Sequence, residues 1–173
     1  MTEVVLARED HLHFLRGIEL DAATICPLED LPEPLRAESM PLDILRTALK
    51  QGLLLVAIEN GDTPIGFAAC AVIENYLHLL EIDVASRMQH KGIGSLLLNK
   101  VIDIAIERGL VGVSLTTFSH LPWNAPWYKK KGFTRIISAE LPAFLAEILK
   151  EEAARGLNPD NRVAMRKKLT SNS

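Results

Sequence analysis

Cysteine is scarce in this chain, with only Cys26 and Cys70 in 173 residues. Their separation fits neither a metal knuckle nor a disulfide scaffold. Two free thiols suit a reducing compartment, and both read as ordinary small core or loop residues. Aromatic residues make up only 5% and no basic stripe interleaves with them; with a net charge of −3, nucleic acid is not an expected partner. No apolar run approaches the roughly 20 residues of a membrane span. The N-terminus carries Glu3 early and lacks a basic region ahead of a long apolar one, so nothing marks the chain for export. The expectation is a soluble, cytoplasmic protein. There is no internal repeat or low-complexity tract, and only the Ser171–Ser173 end reads as frayed.

A content of 48% hydrophobic and 24% charged residues over this length builds one substantial core and not two, so residues 1–173 are expected to form a single domain. The most telling segment runs from Leu79 to Gly109. An apolar strand there meets a short polar turn, and Gln89-His90-Lys91-Gly92-Ile93-Gly94 opens a long amphipathic helix. Ile93, Leu96, Leu97, Val101, Ile104 and Ala105 fall on one stripe of that helix. A helix start leaves about four amides without intrahelical partners and carries roughly half a positive charge, which suits a phosphate. The turn does not fit a P-loop, because Lys91 precedes Gly92. A dinucleotide fingerprint fails at position 97, which is Leu rather than Gly. Read alone, Gly92 and Gly94 could also simply start a helix.

The order Gln89, two residues, Gly92, one residue, Gly94 resembles the acyl-CoA pyrophosphate loop of the GCN5-related N-acetyltransferase (GNAT) family, with Val84 in the place of that family's valine before the turn. Downstream, Tyr128-Lys129-Lys130-Lys131-Gly132-Phe133 is similar to the family's tyrosine, three residues, glycine, phenylalanine ending. The resemblance extends from Val4 to about Ile137. It implies an α/β (α+β) fold with a mixed, mostly antiparallel central sheet, a splayed strand pair and helices on both faces. It also implies acetyl-CoA as co-substrate, an amine acceptor as partner and no metal.

The coarse plan agrees. Strands are expected at Val4–Ala7, Leu53–Ile58, Ile65–Ile73, Leu77–Val84, Val111–Phe118, Phe133–Ile137 and Arg162–Arg166. Helices are expected at Glu9–Thr24, with Leu12, Leu15, Ile18 and Ala22 on one face, at Leu42–Lys50, at Ala125–Lys131 and at Leu141–Arg155. Asn60-Gly61-Asp62 reads as a hairpin turn. Pro27, Pro32, Pro34 and Pro41 among Glu29, Asp30, Glu33 and Glu38 read as an acidic loop rather than a continuous helix. The glycine-turn core spans 77–109, and a C-terminal helix with the final strand spans 138–168.

By the resemblance, Ile82, Asp83 and Val84 offer main-chain groups to pantetheine, and Gln89, Lys91, Gly92, Ile93, Gly94 and Ser95 face the pyrophosphate. Tyr128 is then the acid toward the leaving thiolate, a role that a phenol with pKa near 10 can fill. Transfer to an alkyl ammonium, less than about 0.1% neutral at pH 7, also needs a base or a desolvating pocket. His78 matches the place of the base in some family members. Glu81 is a carboxylate in an apolar strand, costly unless paired or functional, and reads as a base or as a buried partner. His120 is a third candidate. Many members carry an asparagine seven residues before the tyrosine and an alanine four before, where this chain has Leu121 and Asn124. Asn124 therefore reads either as a pantetheine contact or as a plain helix N-cap.

Lys129–Lys131 and Arg166–Lys168 read as solvated patches, the first also within reach of CoA phosphates. The acidic loop and an outer face of Glu140, Glu147, Glu151 and Glu152 would border the acceptor site and favour a cationic amine. The expected activity is direct transfer to a primary amine of a small molecule. Alternatives are a protein N-terminal or lysine acetyltransferase, and a non-catalytic acyl-CoA-binding module. The strand after Tyr128 mediates dimers in this family, which leaves a homodimer open.

Overall fold

Strand-forming and helix-forming stretches alternate along the chain, and the computed structural model, which describes residues 1–169, places them in two compact units. The frayed end expected at Ser171–Ser173 lies outside the described residues. The first unit holds residues 1–71 and 79–104, the second residues 72–78 and 105 onward. The sheet order is β1-β2-β3-β4-β5-β7-β6.

In the first unit, β1 (Glu3–Leu6) is followed by α1 (Leu12–Ala23), α2 (Glu33–Arg36), α3 (Leu42–Lys50), β2 (Leu54–Glu59), β3 (Thr63–Ile73), the body of β4 (Tyr76–Val84) and most of α4 (Ile93–Glu107). Leu12, Leu15, Ile18 and Ala22 are buried along α1, as their spacing requires. β1 pairs antiparallel with β2, and β2 with β3 across the Asn60-Gly61 turn, where both residues take left-handed conformations (φ 47° and 104°). The proline-rich segment departs from the expected loop. Pro32 is extended and Pro34 sits in the first turn, so one short helix, α2, fits between them and Ala37. Arg36 closes this segment by donating to the carbonyls of Leu31 at 3.0 Å, Ala23 at 3.1 Å and Cys26.

Along α4, Ile93, Leu97, Leu98, Val101 and Ala105 are buried, whereas Leu96, expected on the same stripe, is exposed. The buried stripe is centred near Val101; Leu98 lies about 60° from that centre and Leu96 about 140° from it, at the helix's 100° per residue.

The second unit begins with residues 72–78 and continues through β5 (Gly112–Phe118), α5 (Ala125–Lys130), β6 (Thr134–Arg135), α6 (Ala143–Arg155) and β7 (Arg162–Lys168). β4 and β5 pair in parallel only from Tyr76–Gly112 to His78–Ser114, although both strands continue, which is the splay the resemblance implies. β7 pairs antiparallel with β5 along its full length and also with β6, so the last strand in sequence lies between two earlier ones. The strand expected at Phe133–Ile137 contracts to Thr134–Arg135, because a 3-10 turn at Ser138–Glu140 follows. α6 starts at Ala143 rather than Leu141, since Pro142 is extended (φ −59°, ψ 146°), and it ends at Gly156 (φ 113°).

Candidate active site

The glycine turn is built from its anchors. Beyond Val84, the Ser86 N–H and hydroxyl donate to the Asp21 carboxylate at 2.7 and 2.8 Å, fixing the chain to α1. Met88 is buried, and the Gln89 side-chain amide donates to the Val84 carbonyl at 2.9 Å while its main-chain N–H donates to the Ser86 carbonyl at 3.3 Å, so Gln89 locks the turn. His90 (φ 63°) and Gly92 (φ 80°) both take left-handed conformations. A Cβ on Gly92 would point into open space, so glycine is required there by backbone conformation rather than by crowding. The Leu96 N–H makes the first rung of α4, on the Gly92 carbonyl at 3.1 Å. The amides from Gly92 to Ser95 therefore precede the helical ladder, at the positive end of a 15-residue helix. Lys91 is exposed beside them. Gly66 meets a different demand: a Cβ there would lie 2.9 Å from the Asp83 carbonyl, so a larger residue would push on the strand that feeds the turn.

In the same unit, Glu19 of α1 approaches Glu81 and Asp83 of β4, with a carboxylate oxygen from each lying within 4.8 Å of the others. Glu19 is held by the Met40 N–H, which reaches its two oxygens at 2.8 and 3.1 Å. Burial, and next the Glu81 charge and hydrogen bond, push the Asp83 carboxyl well above the usual carboxylate range. Asp83 Oδ2 is sealed from solvent and meets no hydrogen-bond partner among the described residues. The sequence reading singled out Glu81 and Asp83 but missed Glu19. Its signal was a carboxylate flanking the buried Leu15-Ile18-Ala22 stripe. Asp10, His11 and Asp62 also lie close together, but Arg8 occupies that corner through both aspartates.

The second unit holds the other candidates. His78 is 2% exposed; its Nδ1 lies 2.9 Å from Ser114 Oγ, and its ring stands edge-on to Phe144 at 6.0 Å. Burial lowers its pKa to about 4, with the Glu152 charge opposing the shift. Tyr128 is buried against Trp127 and Phe133, with ring centroids 5.0 and 5.5 Å away. Asn124 stands at the N-cap position of α5 but makes no side-chain cap bond, which corrects the N-cap alternative; its Oδ1 is buried and has no hydrogen-bond partner among the described residues. His120 is exposed, edge-on to Phe118 at 6.3 Å.

Three charge expectations are corrected here. Glu152 is not on an outer face: it accepts from Arg162 at 3.0 Å and from the Thr116 hydroxyl at 2.6 Å, with both ion-pair side chains nearly buried. Arg166 pairs with Glu140 at 3.3 Å, and Lys167 donates to the Lys131 carbonyl at 2.9 Å, so neither belongs to a loose solvated patch. Lys131 lies over the Trp127 ring at 5.4 Å. Of the acids in the proline-rich segment, Asp30 is buried, while Glu29, Glu33 and Glu38 are exposed.

A family model described as the acetyltransferase (GNAT) family matches residues 20–133. Among solved structures, the chain is similar to a PaiA N-acetyltransferase from Thermoplasma acidophilum in complex with coenzyme A, at 20% identity and TM-score 0.70 over 98% of this chain and 99% of that one. It is also similar to the ribosomal-protein-S18-alanine N-acetyltransferase of Escherichia coli, at 19% identity and TM-score 0.66 over 100% and 99%. An N-acetylglutamate synthase from Neisseria gonorrhoeae, complexed with coenzyme A and N-acetyl-glutamate, matches at 18% identity and TM-score 0.70 over 98% of this chain and 35% of that one. A glycine turn at the start of α4, a β4–β5 pair that parts after three residues and a family match across most of this region agree: the chain belongs to the GNAT family of acetyltransferases, enzymes that take their acyl group from acetyl-CoA.

Proposed function

We propose that this enzyme transfers an acetyl group from acetyl-CoA to a primary amine of a small molecule by direct attack. The observation that carries the cofactor half is the turn at Gly92, whose left-handed backbone and open surroundings leave the start of α4 accessible to a pyrophosphate. Ile82 and Val84, past the last β4–β5 register pair, supply main-chain groups for pantetheine. By the resemblance Asn124 is also assigned to pantetheine; its buried Oδ1, which has no hydrogen-bond partner among the described residues, can accept from an amide. Lys91 adds charge for the phosphates.

The reaction joins R–NH3⁺ and the thioester to give the amide, the CoA thiol and one proton. A C–N bond forms and a C–S bond breaks; one ammonium proton goes to a base and on to solvent, the departing sulfur takes a proton from an acid, and the second nitrogen proton, shed as the amide forms, restores that acid. Tyr128 has the acid's role that the Tyr-Gly-Phe motif implies, its ring fixed by Trp127 and Phe133. Glu81 is preferred to His78 as the base, since His78 is sealed under Phe144 and bonded to Ser114. No metal enters the scheme.

Calorimetric titration with acetyl-CoA tests this reading, with Gly92→Asp as control. Micromolar binding in the parent and at least about tenfold weaker binding in the variant are expected, since aspartate adds charge repulsion and about 1–2 kcal/mol of backbone strain. Equal affinity in the two proteins would remove the turn from the site.

A further inference from the structure

The carboxylate of Asp21 stands where electrostatics alone would not put one. It lies in the last turn of α1, at the negative end of the helix macrodipole, and that turn carries no basic residue to offset it. It also brings negative charge to the chain that leads into an anion-binding turn. Both of its oxygens are nonetheless committed to one residue 65 positions away: Oδ2 accepts from the Ser86 N–H at 2.7 Å and Oδ1 from the Ser86 hydroxyl at 2.8 Å. Two charge-assisted bonds to one residue fix its direction as well as its distance.

Those bonds hold the approach to Gly92. The Ala85 N–H is tied to the Ile65 carbonyl at 2.8 Å, and beyond it the segment bonds chiefly to itself. Met88 N–H donates to the Ala85 carbonyl at 2.8 Å, Gln89 N–H to the Ser86 carbonyl at 3.3 Å and the Gln89 side chain to the Val84 carbonyl at 2.9 Å. These bonds set the shape of the turn but not its position. From Ser86 to Lys91, among the described residues, the Asp21 pair alone carries a hydrogen bond to a separate element. Ser86 is exposed, so water can satisfy its N–H without Asp21, and the turn then keeps its shape while losing its anchor.

We propose that Asp21 is a positioning residue for acetyl-CoA: acting through Ser86 rather than on the ligand, it holds the amides at the start of α4 where the pyrophosphate meets them. The inference rests on the acetyltransferase reading and adds to its cofactor site a residue of α1 that the glycine motif does not contain. The role can be taken over by a stiffer backbone. Ser86 opens the 3-10 turn Ser86–Met88, and Ala85 before it is extended (φ −52°, ψ 137°), a place that admits proline. Ser86→Pro stiffens the same entry through its ring while removing both donors, which leaves Asp21 nothing to hold.

Calorimetric titration with acetyl-CoA compares the parent, Asp21→Ala, Ser86→Pro and the double variant, with hydrogen exchange at the Met88 and Gln89 amides read on the ligand-free full chain. Asp21→Ala is expected to bind acetyl-CoA at least about fivefold more weakly, with faster exchange at both amides, as the loss of two hydrogen bonds to a charged group implies. In the Ser86→Pro background the same substitution is expected to change neither quantity by more than about twofold, because the two sites then share no bond. Ser86→Ala, which leaves α1 intact and removes one bond, should fall between the parent and Asp21→Ala. If Asp21 acted through its charge alone, its removal would tighten binding, so equal or tighter affinity in Asp21→Ala overturns the proposal. An equal loss in both backgrounds also overturns it, since that marks a general loosening of α1 rather than a clamp on Ser86. A parent that fails to bind acetyl-CoA overturns the cofactor assignment and this inference with it, whereas binding by the parent with an unchanged Asp21→Ala overturns the inference alone.

Discussion

Tyr128 shows how much one phenol is asked to do. Its ring is buried against two aromatic neighbours, so Tyr128→Phe keeps the packing and removes only the hydroxyl. The expected outcome is a kcat drop of about 10²-fold or more with acetyl-CoA affinity within about twofold of the parent, because general acid catalysis contributes on the order of 10²–10⁴ and ground-state binding is untouched. An unchanged kcat would make Tyr128 a packing residue. Asn124→Ala separates the two halves of the ligand: it should weaken acetyl-CoA by about fivefold to tenfold in calorimetry without a kcat change, since a hydrogen bond contributes about 1 kcal/mol. The turn residues were legible in the sequence because backbone conformation constrains them locally: φ 80° at position 92 calls for glycine whatever lies around it. Glu19 was not legible, because the two carboxylates that give it meaning lie far along the chain on β4.

Among the elements, α1 and α4 followed directly from their apolar periodicity, and the β2–β3 hairpin followed from Asn60-Gly61. α2 did not, because four prolines mark a segment that cannot be one long helix but do not forbid a single turn between them. α6 misled in a different way. Glutamates at 147, 151 and 152 look alike in sequence, yet Glu152 turns toward β5 and β7, where Arg162 neutralises it and stacks on the Phe118 ring at 4.6 Å. Arg162→Met should therefore cost about 3 kcal/mol in urea unfolding, by leaving a nearly buried carboxylate unpaired, and adding Glu152→Gln should recover most of that loss. A loss below about 0.5 kcal/mol would mean that solvent screens the pair as it does on a surface. The same variants test what seats α6 on its sheet.

For the whole molecule, strand order was the feature least accessible to sequence, because β7 inserts between β5 and β6 through pairings that no local pattern encodes. Burial of individual polar residues follows from such insertions and coverings, and it gives the enzyme a two-sided pH dependence. His78 titrates near 4 when folded and near 6.5 in the unfolded chain, so the unfolded state binds the extra proton between those values. Its contribution is full above pH 6.5 and is lost as the pH falls toward 4, by as much as about 3 kcal/mol. Asp83 acts in the opposite sense. Its folded carboxyl holds a proton above the usual range, so the folded state is favoured at low pH and loses that advantage as the pH rises through the folded value. Urea midpoints measured across pH should then pass through a maximum. His78→Asn keeps a partner for Ser114 and should flatten the acid limb, and Asp83→Asn should flatten the limb on the other side. If His78→Asn leaves the acid limb as steep as in the parent, exposed carboxylates rather than the covered histidine set the acid stability of the fold.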